Sequence, residues 1–249
     1  MSDRFRLMLL ILAVATAALA PTASADTLAE ARERFAAGEY ESAVPLFEQA
    51  AKSMPPSAAI YFELGKAQSA AGSEARAALS FERALVLDPG FAAARSALAQ
   101  SAQALGFTVP SAGWVSRLQG VAAPGVLTVS GTLAFWFAAI ILLVSIFARN
   151  RRGLFPGALG LFTLAALLLA GAWFLDPRIT RRDEAVVLAD GGVNLLKSPV
   201  ENSEQAGRIP AGGTVQILSQ RGRWFYGRIP TGATGWFPSQ DVVPLIPPP

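Results

Sequence analysis

The side chains that most often perform catalysis are missing from this sequence of 249 residues. It contains no cysteine and no histidine, which excludes thiol nucleophiles, histidine bases, disulfide bonds and the usual zinc sites. Catalysis by a Ser–Lys pair or by two carboxylates remains possible in principle, but no such pair stands in a catalytic motif. The adjacent carboxylates Asp183-Glu184 have the composition of a linker. We therefore expect no enzyme, no metal site and no cofactor, and predict a protein that acts by binding.

The first half of the chain contains an internal repeat with a period of 34 residues. Shifted by this distance, Gly38 falls on Gly72, Ala43 on Ala77, Phe47 on Phe81, Ala50 on Ala84, and Pro55 on Pro89. Small residues let two helices approach closely, glycine permits the turn between them, and proline ends each unit. Each unit is predicted to be a pair of helices, and residues 92–106 supply one closing helix that ends at Gly106.

This period, with its small, aromatic and proline positions, resembles the tetratricopeptide repeat (TPR). The copy at residues 58–91 carries the family's signature nearly complete, whereas the copy at 24–57 has Glu30 at a usually apolar position. The resemblance implies that the first helix of each repeat lines a concave groove that binds a peptide. The implied groove residues are Arg32, Phe35, Phe62, Lys66, Ser69, Ser96, Gln100 and Gln103.

Arg32 and Lys66 occupy the same position of the two repeats. In the implied groove they would suit an acidic ligand or a C-terminal carboxylate. The alternative is that both are solvated charges on helix surfaces, where basic residues usually lie. Reversing both charges distinguishes the two interpretations, because only a groove contact would alter the retention of a partner.

Two apolar stretches in the middle of the chain predict transmembrane helices. Residues 125–147 and 154–175 carry no charge, and each exceeds the roughly 20 residues that span a bilayer. The loop between them, residues 148–153, contains three arginines, which places it in the cytoplasm and both flanking segments outside. Arg178, Arg181 and Arg182 follow the second helix closely and run against this rule.

The N-terminus has the pattern of a secretory signal peptide covering residues 1–25. Arg4 and Arg6 precede an apolar run at residues 7–20, and Ala23-Ser24-Ala25 forms an A-x-A-like cleavage site. The alternative is an uncleaved membrane anchor. Export of the repeats agrees with the cytoplasmic loop that the arginines predict.

Beyond residue 184 the helical period gives way to five short β-rich runs separated by Gly, Pro, Asn and Ser. Four motifs in this segment resemble, in their order and spacing, those of a bacterial SH3 domain. They are VNLLKSP (193–199), IPAGGTVQIL (209–218), Trp224 and TGATGWFP (231–238). This family is a small all-β barrel that binds proteins or cell-wall peptides. Leu196 stands where an arginine is frequent, which weakens the transfer of any ligand contact made by that residue.

Aromatic residues in this segment divide between core and surface. We expect Trp224 and Trp236 to build the core, because large aromatic residues commonly do so in small barrels. The exposed faces of Phe225, Tyr226 and Phe237 are the predicted SH3 binding surface. The segment therefore reads as β-hairpins with one aromatic surface.

Composition and charge limit the partners. The chain is 52% apolar and 16% charged with a net charge of +3, so part of it faces lipid and neither exported segment is basic enough for nucleic acid.

The predicted fold class is a multidomain membrane protein with an all-α TPR solenoid, a transmembrane helical hairpin and a small all-β SH3-like barrel. Its predicted segments are a TPR domain at 26–107, linkers at 108–124 and 176–183, an SH3 domain at 184–246 and a tail at 247–249.

This order of segments resembles the BatE-like membrane proteins of bacterial aerotolerance (Bat) operons. The resemblance implies a scaffold in the bacterial inner membrane, with both domains periplasmic, acting in oxidative or envelope stress. Its implied partners are von Willebrand factor A-domain membrane proteins and a MoxR-type ATPase. The alternative function is a sensor or anchor that binds peptidoglycan and recruits wall enzymes.

Overall fold

The computed structural model describes residues 22–107, 109, 124–147 and 154–246. Most of the predicted signal peptide, most of the 108–124 linker, the arginine loop and the tail lie outside these residues. The described chain forms a helical repeat domain (residues 22–107), two long apolar helices and an antiparallel β domain (residues 184–246). The predicted fold class is confirmed.

Five helices form the repeat domain, and each packs against the next along the chain. They are α1 (Thr22–Ala36), α2 (Tyr40–Ser53), α3 (Ala58–Ala70), α4 (Glu74–Leu87) and α5 (Ala92–Leu105). Helix α1 begins before Ala25 and therefore runs through the predicted cleavage site. The 34-residue period of the sequence predicted this arrangement of two helical pairs and a fifth helix.

Glycine ends the first helix of each unit in the same way. Gly38, Gly72 and Gly106 lie 34 residues apart and have φ of 80°, 79° and 73°, a left-handed conformation in which a Cβ is strained. The residue after each glycine donates its N–H to the carbonyl five residues earlier, at 2.8–3.0 Å. This is the Schellman motif, which satisfies carbonyls that the helix end leaves without partners.

Close packing inside the repeats depends on one glycine and one aromatic ring. Phe47 and Phe81 are 1% and 2% exposed and form the centres of the two units. A Cβ on Gly65 would lie 2.5 Å from Cε1 of Phe81, so α3 carries glycine where the ring of α4 meets its backbone. Ala77 and Ala84 on α4 are fully buried, as the sequence predicted for small residues at these positions.

The two apolar helices, α6 (Pro124–Phe147) and α7 (Leu154–Leu175), pack together as an antiparallel hairpin. Their direction follows from the contacts, because Gly131 lies beside Leu169 whereas Phe135 lies beside Phe162. Segments of 20 and 19 residues are long and apolar enough to cross a membrane, and only 11% and 17% of them is buried. They are therefore candidate membrane spans.

A short helix, α8 (Pro177–Thr180), follows α7 after a single residue and contacts both α7 and α4. The Asp176 carboxylate accepts from the N–H of Arg178 at 2.9 Å and caps this helix. Strand β1 begins at Glu184. The connection from the apolar hairpin to the β domain is therefore short and structured.

Seven antiparallel strands form the β domain in the order β3-β2-β6-β5-β4-β1-β7. They are β1 (Glu184–Val187), β2 (Val193–Leu196), β3 (Gln205–Ile209), β4 (Thr214–Arg221), β5 (Trp224–Arg228), β6 (Thr234–Pro238) and β7 (Val242–Pro244). The sequence predicted five. It missed β3, whose residues QAGRI lack a β-rich pattern, and it merged β6 with β7, which the 3₁₀ turn Ser239–Asp241 separates.

The repeat domain and the β domain pack directly against each other. Leu79 and Val86 of α4 bury against Val186 of β1 and Leu245, with Leu188, Val243 and Ile246 around them. A second contact lies at Gly212, where a Cβ would meet Leu105 and Phe107, both at 2.8 Å. The two domains therefore share an apolar interface, and they lie at the same end of the apolar hairpin.

Candidate ligand-binding surfaces

Three predicted groove residues meet at one place on the repeat domain. The ammonium of Lys66 on α3 lies 5.1 Å from the ring centroid of Phe35 on α1 and 5.8 Å from that of Phe62 on α3. Lys66 is exposed, whereas both rings are half-buried. These three residues, the Lys66 cluster, present a cation above an apolar floor, which the rings stabilise through cation–π attraction.

Arg32 and Lys66 are not equivalent, which corrects the expectation of two like cations. Arg32 pairs with Glu63, with Nε 3.0 Å from Oε2 and Nη2 3.0 Å from Oε1. This two-point contact compensates the guanidinium charge in the geometry that arginine and carboxylate favour. Lys66 therefore carries the positive character of this surface.

Ser69 is half-buried, and its hydroxyl takes part in a polar network. It donates to Oε1 of Glu74 at 2.8 Å, and Ser101 of α5 donates to Oε2 of the same carboxylate at 2.7 Å. Glu74 thereby joins three helices. The Ser69 hydroxyl therefore connects α3 to α4, and its role in the groove stays a prediction.

Ser96, Gln100 and Gln103 are exposed on α5, the helix next to α3. Phe62 connects the two regions, because its ring lies 5.0 Å from that of Phe91, directly before α5. The hydroxyl of Ser96 donates to the carbonyl of Ala93 at 2.9 Å. The two glutamine amides offer donors and acceptors on α5 at the repeat positions that Lys66 and Ser69 occupy on α3.

The predicted surface of the β domain needs two corrections. Phe237 is completely buried and belongs to the core, so a surface role for it is wrong. Trp236, predicted in the core, is half-exposed. Phe225 packs against that core with its ring 6.1 Å from Phe237, and Trp224 is buried as predicted.

Tyr226 and Trp236 form the aromatic pair on the outer face. Their ring centroids are 5.1 Å apart, and the Tyr226 hydroxyl lies 3.1 Å from Oγ1 of Thr234. The register of β5 and β6 explains the pair, since Tyr226 lies opposite Trp236 and Phe225 opposite Phe237. Adjacent residues of a strand face opposite sides, so this register assigns one pair to the core and the other to the surface.

A charged cluster at the interface between the domains had no sequence motif. Arg181 lies between the Glu82 and Glu184 carboxylates, at 2.8 Å from Oε2 of Glu82 and 2.7 Å from Oε2 of Glu184. Burial alone lowers the pKa of Arg181, but the two carboxylates outweigh it and raise this pKa above its ordinary value. In the sequence, only Glu82 could have indicated this cluster, because it is a charged residue within the apolar stripe of α4.

Arg83 is the neighbouring cation of this interface. Its guanidinium donates to the carbonyls of Leu245 and Pro244 at 3.1 and 3.2 Å and lies 6.0 Å from the Tyr61 ring. Burial lowers the pKa of Arg83. Since both bonds go to the end of β7, this side chain fastens the last strand of the β domain to α4.

Comparison with known families assigns both domains. Residues 34–100 match the family described as tetratricopeptide repeat, and residues 191–243 match the bacterial SH3 domain. The chain combines tetratricopeptide repeats with a bacterial SH3 domain. No curated protein and no solved structure matches it.

Both types of domain act in recognition. TPR domains mediate protein interactions, and bacterial SH3 domains bind proteins or the cell wall. Within the described residues, no group of three or more acidic, histidine or cysteine side chains could hold a metal ion. The Lys66 cluster of the TPR domain and the Tyr226–Trp236 pair of the SH3 domain are therefore the candidate ligand-binding surfaces.

Proposed function

We propose that this protein is a non-enzymatic, membrane-anchored adaptor that binds a protein partner through the Lys66 cluster of its TPR domain. The observation that carries the proposal is the geometry of Lys66, an exposed cation 5.1 and 5.8 Å from two phenylalanine rings. The SH3 domain contacts α4 and the end of α5. Lys66 remains exposed with that domain in place.

The chemistry of this surface defines its ligand. Lys66 favours a carboxylate, the Phe35 and Phe62 rings favour an apolar side chain next to it, and Gln100 and Gln103 bind main-chain amides. A peptide with an apolar residue and a terminal or side-chain carboxylate meets all three requirements. Arg32 adds little, because Glu63 compensates its charge.

A peptide array tests this ligand chemistry with the full-length protein in detergent. Short apolar peptides ending in a free carboxylate are compared with the same peptides ending in an amide. A charge-assisted bond contributes about 1.5–3 kcal/mol, so we expect roughly 10- to 100-fold weaker binding of the amides. Lys66→Met removes the difference, whereas Lys52→Met at an exposed site on α2 keeps it. Equal binding of both peptide forms to the unchanged protein contradicts the proposal.

The membrane anchor is the α6–α7 hairpin, and we place both domains on the periplasmic side of the bacterial inner membrane. Support comes from the arginines of residues 148–153, which favour a cytoplasmic loop, and from the secretory pattern of residues 1–25. The contact between the TPR and SH3 domains agrees with it, because both domains must then occupy one side.

Bat-type partners are the first to test. The order of repeats, hairpin and SH3 domain supports a scaffold role in a complex of von Willebrand factor A-domain membrane proteins with a MoxR-type ATPase. Two binding surfaces on one anchored body raise the effective concentration of each for a shared target. Individually weak contacts would then suffice for assembly.

A second candidate function is the binding of peptidoglycan by the SH3 domain. The half-exposed rings of Tyr226 and Trp236, with the Thr234 hydroxyl beside them, favour it, because such a pair combines an apolar platform with a polar edge. The full-length protein should then pellet with isolated cell wall, and Trp236→Ala should abolish pelleting. An unchanged pellet with this variant would exclude the pair as the wall contact.

A further inference from the structure

The route from the membrane hairpin to the SH3 domain has no loose linker. Only Asp176 separates α7 from α8, and β1 begins four residues after α8 ends. Along this route α8 contacts both α7 and α4. The chain therefore leaves the membrane helix and docks at once on the TPR domain.

One side chain joins the three structural parts that meet there. Arg181 follows α8 directly, binds Glu82 on α4 of the TPR domain and binds Glu184 at the start of β1. Glu82 is only 5% exposed. A buried carboxylate without its cation is strongly unfavourable, so the packing of α4 against the SH3 domain depends on Arg181.

The contacts around Arg181 hold both the first and the last strand of the SH3 domain. Val186 of β1 lies in the apolar interface with Leu79 and Val86, and Arg83 binds the carbonyls after β7. The interface is therefore broad, with the Arg181–Glu82 pair at the end that adjoins the membrane helix.

We infer that Arg181 is a latch that locks the TPR and SH3 domains into one rigid body and fixes the orientation of this body at the end of α7. Contacts made by either domain then act on the membrane hairpin through α8. The inference goes beyond the proposed function, since it concerns the unliganded chain and requires no particular partner.

Distances between spin labels test the latch in the full-length chain in lipid nanodiscs. The protein has no native cysteine, so Ser42→Cys on α2 and Asn202→Cys in the SH3 domain, both exposed, carry the only labels. The wild-type background should give one narrow distance distribution, and Arg181→Met should at least double its width. Arg178→Met, at an exposed site on α8, is the matched control and should leave the width unchanged.

A second label pair measures the orientation relative to the membrane. Val126→Cys, at an exposed site near the start of α6, replaces Asn202→Cys. We again expect a narrow distance distribution in the wild-type background and a broadened one with Arg181→Met. Should Arg181→Met fold poorly, Glu82→Met/Arg181→Met removes the unpaired carboxylate, and its distribution should stay broad because the bridge between α4 and β1 is still missing. A broad distribution in the wild-type background, no broadening with Arg181→Met, or a narrow distribution in the double variant overturns the latch.

Discussion

Nη1 of Arg181 lies 2.8 Å from Oε2 of Glu82, although the two residues stand on opposite sides of the apolar hairpin in the sequence. An antiparallel hairpin that spans a bilayer returns the chain to the side from which it entered. The contact requires such a return, because otherwise a membrane would separate the two residues. This single ion pair therefore links the packing of the TPR and SH3 domains to the topology of the apolar hairpin.

Membrane topology can be read with single cysteines in the otherwise cysteine-free chain. Ser42→Cys and Asn202→Cys should react with a membrane-impermeant maleimide from the same side of intact cells or vesicles. Asn150→Cys, in the arginine loop, should react only after the membrane is made permeable. Labelling of Ser42→Cys and Asn202→Cys from opposite sides would contradict the interface between the TPR and SH3 domains.

Gly212 is expected to be essential for the contact between these domains. Its φ of 76° costs an alanine about 1–2 kcal/mol, and its Cβ would also overlap Leu105 and Phe107. Gly232→Ala is the matched control, because its φ is 94° but nothing lies within 4 Å of the added atom.

Hydrogen exchange in the full-length protein distinguishes the two glycine variants. With Gly212→Ala we expect faster exchange in α4, β1 and the segment around Phe107, whereas Gly232→Ala should disturb only its own turn. Similar exchange patterns for the two variants would show that backbone strain alone explains the effect.

Gly65 determines how closely α3 and α4 approach. An added Cβ would lie 2.5 Å from the Phe81 ring, and overpacking of this kind typically costs about 1–3 kcal/mol. Gly65→Ala should therefore lower the thermal unfolding midpoint of the repeats, measured by circular dichroism. Phe81→Leu creates room for the methyl group, so Gly65→Ala should cost less in that background than in the native chain. Equal costs in both backgrounds would rule out the ring as the cause.

Phe237 and Trp236 separate stability from ligand binding in the SH3 domain. Phe237→Ala removes a fully buried ring and should destabilise the domain by about 3–5 kcal/mol. Trp236→Ala removes a half-exposed ring and should cost clearly less. Chemical denaturation gives the free energy of unfolding of both variants. Unfolding is followed by tryptophan fluorescence for Phe237→Ala and by circular dichroism for Trp236→Ala. A larger loss with Trp236→Ala would contradict the assignment of the two faces.

The sequence predicted the helical repeats well because their turns repeat. Gly38, Gly72 and Gly106 keep one spacing and one backbone conformation, and Phe47 and Phe81 occupy equivalent buried positions. Such local signals do not depend on distant residues. The apolar helices were equally clear, since length and lack of charge suffice to indicate them.

Contacts between distant residues could not be predicted in this way. Trp236 and Phe237 are adjacent aromatic residues, and only the pairing with β5 decides which of them is buried. Arg32 and Lys66 share a repeat position, yet only Arg32 pairs with Glu63. The Arg181–Glu82 pair joins segments on either side of the hairpin, and no local pattern of composition or period indicates such a pair.

The central claim, partner binding through the Lys66 cluster, is tested most directly in the native membrane. The full-length protein is crosslinked briefly, purified in mild detergent and analysed by mass spectrometry, next to Lys66→Glu and the control Lys52→Glu. We predict A-domain membrane proteins and a MoxR-type ATPase with the wild type and with Lys52→Glu, and their loss with Lys66→Glu. An identical partner set with Lys66→Glu, or wall fragments alone with the wild type, would contradict the claim.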